Sequence, residues 1–129
     1  RDSSVTGVQT CALPIYPDSS RTSPLWINMG SPGGAMIIHF TSQSLWAMLQ
    51  TNMDAQAAFH RPHSGVTQAQ GPLLVEKNLF SPSLIEGLRA RGHDVLSVDM
   101  PSGLQALQRK DTQWLGAADP RREGQVSGE

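Results

Sequence analysis

A glycine-rich turn, Gly30-Ser31-Pro32-Gly33-Gly34, constrains the fold of this chain more than any other stretch. It follows the apolar residues 25–29 and leads into residues 35–40, which have the composition of a helix start. Adjacent glycines accept positive φ and let a ligand approach the main chain, while a helix N-terminus presents free N–H groups and partial positive charge. The order strand, glycine turn, helix therefore predicts a site for an anion, either bound or formed during a reaction. A tight turn without any ligand is the alternative interpretation.

Hydrophobic periodicity predicts a strand on each side of two helices in the first half of the chain. Residues 25–29 are predicted as a buried strand and residues 35–50 as an amphipathic helix. Asp54 is suited to N-cap a short helix that ends before Pro62. Residues 60–72 are predicted as loop, and residues 73–76 as the next strand.

The second half predicts one helix and three strands. Ser81 and Pro82 are typical of a helix start, and Gly92 is placed to end that helix. Its predicted apolar face is Leu84, Ile85 and Leu88. A strand over residues 94–98, a hairpin over residues 104–116 and a polar tail from Ala117 complete the pattern. The whole fits an α/β (α+β) fold, a mixed layer with helices packed on a largely antiparallel sheet.

Composition excludes several classes of function. The chain has 129 residues, a formal net charge of -1 and no basic face, which argues against a nucleic-acid partner. No apolar run approaches the roughly 20 residues that span a bilayer, so no membrane span is expected. Hydrophobic residues make up 38% of the chain, which is few for a self-sufficient domain.

The first fifteen residues resemble no domain segment. Residues 5–15, VTGVQTCALPI, match the translation of a common sequencing-library adapter in every codon. We interpret residues 1–15 as adapter-derived, residues 16–23 as a junction of uncertain origin, and residues 24–129 as the genuine part of a longer protein. The single cysteine, Cys11, then carries no redox argument. A natural polar N-terminal arm is the alternative.

Direct evidence for a catalytic group is missing from the sequence. No serine lies in a nucleophile elbow, and the glycine turn lacks the Lys-Ser or Lys-Thr of a phosphate-binding loop. His60 and His63 lack a third ligand for zinc and are expected to be solvated, so neither a metal nor a cofactor is predicted. Carboxylates expected to be helix caps or surface charges are Asp54, Glu76, Glu86, Asp94 and Asp99.

Five ordered segments resemble the C-terminal part of the γ-glutamyltransferase (γ-glutamyltranspeptidase, glutathione hydrolase) family. They are residues 30–38, 71–76, 84–95, 102–106 and 116–124, and the resemblance extends from about Pro24 to the C-terminus, about four-fifths of the chain. The resemblance implies part of a four-layer αββα sandwich of the N-terminal-nucleophile hydrolase type. It also implies an enzyme that passes the γ-glutamyl group of glutathione to water or to an amino acid or peptide, through an acyl-threonine.

On this resemblance, Gly33 and Gly34 match the oxyanion-hole glycines of the family. The nucleophilic threonine lies upstream in the family and is absent here, so the chain alone is expected to be inactive. Ser19-Ser20 superficially resembles the family's paired-serine segment but stands too near Gly30 to be assigned to it. The resemblance further implies a large subunit from the same self-cleaved precursor as partner, and a periplasmic or extracellular location. A related β-lactam or amide acylase and a non-catalytic anion-binding module remain alternatives.

Overall fold

The computed structural model describes residues 11–19 and 22–128 of the chain. Seven strands and three α-helices occur within these ranges. In chain order they are β1 (Cys11–Ile15), β2 (Ile27–Ser31), α1 (Ile37–Gln50), α2 (Ala55–Phe59), β3 (Ser64–Gly65), β4 (Leu73–Glu76), α3 (Pro82–Ala90), β5 (Val95–Val98), β6 (Gln105–Lys110) and β7 (Gln113–Ala118). A single 3-10 turn, Gly34–Met36, precedes α1.

The first of two structural units holds the glycine turn. It comprises the described residues up to Arg61 together with those from Ser102 onward. Its sheet is antiparallel throughout, in the order β1-β2-β6-β7. Residues alternate between two faces of a strand, and β2 follows this rule with Ile27, Met29 and Ser31 buried and the residues between them partly exposed.

One face of this sheet forms the core of the unit. Met29, Ala106 and Ala117 lie opposite one another across three strands and are all buried. Phe40, Ala47 and Met48 of α1 are also buried, and α1 contacts β2 and α2. We name the opposite face, which carries Asn28, Leu107 and Gly116 at matching positions, the outer face.

The second unit is Pro62–Pro101. Its three-stranded sheet has the order β3-β4-β5, with β3 antiparallel and β5 parallel to β4. A parallel pair needs a crossover, which α3 supplies between β4 and β5. Ser81 caps α3 by accepting a hydrogen bond from the N–H of Leu84 (3.3 Å), and Gly92 follows its C-terminus with φ +90°.

Several predicted elements are confirmed with small shifts. The predicted strand at 25–29 begins two residues later, at Ile27, and extends into the glycine turn. The predicted helix at 35–50 opens as a 3-10 turn and becomes α-helical at Ile37. Asp54 caps α2 by accepting the N–H of Ala57 (2.7 Å), as its position before Ala55 predicts.

The strands pair mostly antiparallel, as predicted, but their arrangement differs from the predicted sheet in two respects. The strands divide between two sheets, and the pair β4–β5 is parallel. The predicted loop at 60–72 contains the short strand β3, because residues 64–65 pair with β4. The predicted apolar face of α3 is not buried among the described residues, since no residue of α3 is buried and Leu84 is 48% exposed.

Three polar residues are buried where the sequence predicts exposure. His63, expected to be solvated, is buried, and its backbone N–H donates to the carboxylate of Glu76 (2.9 Å). Glu76, expected at the surface, is buried by the same pairing of β3 with β4. Asp119, placed in a polar tail, is also buried, because its carboxylate accepts hydrogen bonds from the residues before β6.

Residues 11–15 belong to the predicted adapter-derived segment and to none of the predicted strands, yet they form β1. Cys11–Ile15 pairs with β2 along its whole length, from Cys11 opposite Ser31 to Ile15 opposite Ile27. Main-chain hydrogen bonding is indifferent to side chains, so the pairing does not test where the segment came from. The adapter origin of residues 1–15 stays a prediction, and residues 1–10 lie outside the described residues.

Candidate functional site

The glycine turn leaves the end of β2 and delivers the chain to the start of α1. Gly33 has φ +143° and Gly34 has φ +59°, both in the region that favours glycine. A Cβ on Gly33 would stand 2.7 Å from the Phe40 ring, so only glycine lets the turn pack on α1. A Cβ on Gly34 would have no atom within 4 Å, so this side of the turn is open.

The turn offers two backbone donors. The N–H of Met36 donates to the carbonyl of Gly33 (3.2 Å), which starts the 3-10 turn, whereas no described residue accepts the N–H of Gly33 or Gly34. The first turn of α1 carries no acidic residue that would compete with an anion. Free donors, the positive end of the helix and an open approach make this turn competent to stabilise negative charge.

Ser31 stabilises the glycine turn through two hydrogen bonds of its buried hydroxyl. Ser31 is fully buried, and its hydroxyl donates to the carbonyl of Pro32 (2.7 Å). The same hydroxyl accepts the N–H of Gly103 (3.2 Å). A Cβ on Gly103 would stand 2.8 Å from Pro32, so glycine is needed at this position for the segment before β6 to reach the turn.

A buried carboxylate holds the segment that contains Gly103. Oδ2 of Asp119 accepts the hydroxyl of Ser102 and the N–H of Leu104 (3.1 Å). Oδ1 accepts the N–H of Arg121 (3.0 Å) and pairs with its guanidinium (3.2 Å). Both carboxylate oxygens therefore have hydrogen-bond donors, which a buried charge requires.

The guanidinium of Arg121 also closes the C-terminal end of α2. It donates to the carbonyl of Phe59 (2.6 Å) and to that of Arg61 (2.9 Å). The last carbonyls of a helix have no partner within the helix, and a cation there is favourable. Asp119 and Arg121 thus connect α2, the start of β6 and the glycine turn.

A cleft of about 850 Å³ lies on the outer face beside the turn. Its walls are β2, β6, β7 and the C-terminal residues from Arg122 to Ser127, and it reaches Pro32 and Gly103. A Cβ on Gly116 would overlap Val126, so the C-terminal residues rest directly on β7. Among the described residues, no three potential metal ligands cluster anywhere.

The sequence singled out the turn but missed its support. Gly33 and Gly34 lie together at the turn, while His60 Nδ1 bonds with the carbonyl of Gln56 and the backbone N–H of His63 donates to Glu76. Asp119, Ser102 and Ser31 were not predicted as a group, because Ser31 bonds with Gly103, 72 residues away in the chain, and Ser102 bonds with Asp119, 17 residues away. One local signal was available: an aspartate two residues before Arg121 accepts its N–H, as aspartates in turns do.

The antiparallel sheet, with α1 on one face and a donor turn at the end of the interior strand β2, forms part of the sandwich found in N-terminal-nucleophile hydrolases. A family model for γ-glutamyltranspeptidase matches residues 19–129. The chain therefore belongs to the γ-glutamyltranspeptidase family, an enzyme family, as the sequence resemblance predicts.

Several individual proteins are similar to this chain. Glutathione hydrolase proenzyme 2 of Schizosaccharomyces pombe is 29% identical over 105 residues, which cover 77% of this chain and 17% of the relative. γ-Glutamyltranspeptidase from Pseudomonas nitroreducens has a similar fold, with a TM-score of 0.80 at 16% identity over 95% of this chain and 63% of that one. Cephalosporin acylase from Bacillus halodurans also shares the fold, with a TM-score of 0.67 at 24% identity over 78% of this chain and 19% of that one.

Proposed function

We propose that this chain is part of an enzyme that cleaves the γ-glutamyl amide of glutathione and transfers the γ-glutamyl group to water, an amino acid or a peptide. The observation that carries the proposal is the Gly33–Gly34 turn, whose two N–H groups have no acceptor among the described residues. Membership of the family supports the choice of substrate. The chain spans less than a fifth of the curated relative, so the remainder of the site is assigned to other parts of the enzyme.

In the proposed reaction, the hydroxyl oxygen of a threonine outside this chain attacks the γ-carbonyl carbon. The carbonyl electron pair moves onto oxygen, and the N–H groups of Gly33 and Gly34 stabilise that oxyanion. Collapse reforms the carbonyl and breaks the C–N bond, and the amine leaves with the proton taken from the threonine. Water or an acceptor amine then attacks the acyl-threonine in the same way. Loss of one oxyanion donor typically lowers kcat by on the order of 10²–10³-fold.

The partner and location follow from the same proposal. The large subunit of the same self-cleaved precursor would complete the sandwich and bind the substrate. The periplasm or the cell exterior is the proposed location, by analogy with the family. The described part of the chain contains no helix that is long and apolar enough to cross a membrane.

The test compares this chain with the intact enzyme, by which we mean the product of the complete open frame at the source locus. We expect the intact enzyme to release p-nitroaniline from γ-glutamyl-p-nitroanilide, and the 129-residue chain to give no more than the no-protein blank. Turnover by the chain itself would contradict the claim that the nucleophile lies elsewhere. Obtaining the complete open frame requires resequencing the locus across the codons for residues 15–24, and this resequencing also tests the adapter interpretation.

An acylase is the second candidate, because the cephalosporin acylase fold matches this chain. Glutaryl-p-nitroanilide differs from the γ-glutamyl substrate only in lacking the α-amino group. A γ-glutamyltransferase should prefer the substrate that carries the amino group, and an acylase of glutaryl side chains should prefer the other. If the locus proves to encode this chain alone, without turnover on either substrate, the anion-binding module is favoured.

A further inference from the structure

The Ser31 hydroxyl holds one of the two proposed oxyanion donors indirectly. It donates to the carbonyl of Pro32 (2.7 Å), which belongs to the same peptide unit as the N–H of Gly33. A trans peptide is planar, so its N–H points opposite to its C=O, and fixing one end fixes the direction of the other. The hydroxyl therefore sets where the Gly33 N–H points.

The segment before β6 in turn holds Ser31 in place. Its oxygen accepts the N–H of Gly103 (3.2 Å), and this contact is buried. Pro32 lies close enough to Gly103 that a Cβ there would come within 2.8 Å of the ring. Residues 102–104 therefore influence the position of Ser31 through a hydrogen bond and that of Pro32 through direct packing.

The Asp119 carboxylate fixes residues 102–104 in turn. Its Oδ2 binds the residues on both sides of Gly103, through the Ser102 hydroxyl and the Leu104 N–H. Asp119 is 3% exposed, and Ser102 and Ser31 are fully buried, so water does not replace these contacts readily. Hydrogen bonds to a charged acceptor are the stronger kind, and this one anchors a three-residue segment.

We propose that Asp119 and Ser31 are positioning residues for the oxyanion donor, acting in series through Gly103. This inference rests on the proposed function, because it assigns a catalytic consequence to the aim of the Gly33 N–H. Neither residue touches the reacting atoms. Their contribution is to hold a donor in the direction where negative charge develops, which is the part of catalysis that tolerates misplacement least.

The experiment measures kcat and KM of the intact enzyme and its variants with γ-glutamyl-p-nitroanilide, per molecule of mature, self-cleaved enzyme counted on a gel. Ser31→Ala removes the hydroxyl, and Asp119→Asn keeps the size of the side chain but replaces one acceptor oxygen by a donor. Each is expected to lower kcat by about tenfold and to leave KM within about twofold, because an oxyanion contact forms only in the transition state.

The double variant Ser31→Ala/Asp119→Asn shows whether the two residues act through one another or independently. If Asp119 acts through Ser31, the double variant should lose about as much as the worse single variant, whereas independent effects would multiply to about a hundredfold. Ser97→Ala and Asp111→Asn remove an exposed hydroxyl and an exposed carboxylate, and both should keep wild-type kcat.

The outcomes are distinct. A Ser31→Ala enzyme with kcat within about twofold of wild type, a rise in KM alone, or multiplicative losses would overturn the positioning role. Ser31→Ala decides the case if Asp119→Asn does not fold. An intact wild-type enzyme that fails to cleave the γ-glutamyl substrate would instead overturn the proposed function.

Discussion

At the scale of single residues, the two glycines of the turn have different reasons to be glycine. Gly33 combines φ +143° with a position in contact with Phe40, so both backbone and packing exclude a side chain. Gly34 has φ +59° in open space, so only the backbone disfavours one. The sequence alone treats the pair as equivalent, because neither φ nor the Phe40 contact can be read from two adjacent glycines.

This difference predicts unequal costs for the same substitution. Gly34→Ala should destabilise the intact enzyme by about 1 kcal/mol, the ordinary cost of a left-handed residue. Gly33→Ala should cost about 2–5 kcal/mol, because overpacking against Phe40 adds to backbone strain. Thermal unfolding of the two variants under identical conditions is the measurement. Equal shifts in Tm would contradict the packing role of Phe40.

A second residue, Ser44 of α1, is buried although its hydroxyl has no hydrogen-bond partner among the described residues. Its side-chain oxygen is fully enclosed, and no described residue forms a hydrogen bond with it. A buried polar group without a partner costs about 1–3 kcal/mol. Burial of Ser44 could not be predicted from the sequence, since a serine at this spacing equally fits a solvated helix face.

Ser44→Ala is therefore expected to stabilise the enzyme. The gain should be about 1 kcal/mol or more, from relief of desolvation together with the higher helix propensity of alanine. Ser42→Ala, at an exposed position of the same helix, isolates the propensity contribution of about 0.5 kcal/mol. Chemical denaturation of both variants provides the comparison. A destabilised Ser44→Ala variant would mean that the hydroxyl has a partner in solution.

Among the secondary-structure elements, features that depend only on residues close in sequence were predicted correctly. Asp54 and Ser81 accept hydrogen bonds from N–H groups three residues ahead, and both were predicted as caps from their positions alone. The hairpin of β6 and β7 was predicted for the same reason, since its turn is short and its strands are adjacent.

Elements that depend on distant chain were predicted less well. The sequence does not reveal that β2 and β6, which are far apart in the chain, are neighbours, or that β4 and β5 are parallel. Burial of His63 and Glu76 follows from the pairing of β3 with β4, and a strand of two residues is too short to be predicted from hydrophobic periodicity. Similarly, Asp119 supports the site only because β7 returns the chain to Leu104.

At the scale of the whole molecule, the outer face of the first unit is incompletely covered. Leu107 is 50% exposed and Trp114 is 48% exposed, and both lie on this face. The C-terminal residues near Val126 cover Gly116 but leave these two side chains open. An αββα sandwich packs a second sheet on such a face, which agrees with a chain that spans only part of its relatives.

Leu107→Lys is expected to act oppositely in the two forms of the protein. In the 129-residue chain it should reduce binding of a hydrophobic dye, because it breaks up an exposed apolar surface. In the intact enzyme it should lower the yield of mature protein, because a charge would be buried without a partner. Gln113→Lys, which adds the same charge at an exposed position on β7, should do neither. An intact enzyme indifferent to Leu107→Lys would mean that this face remains open to solvent.

The pairing of Cys11–Ile15 with β2 has a practical consequence for anyone producing this polypeptide. The edge of β2 that pairs with β1 offers backbone N–H and C=O groups, so another extended segment, including one from a neighbouring copy, could pair there if β1 were absent. Removing residues 1–15 would expose that edge and encourage association at high concentration. A soluble expression product is therefore expected from a polypeptide that keeps an extended segment paired with β2 rather than from one trimmed after Ile15.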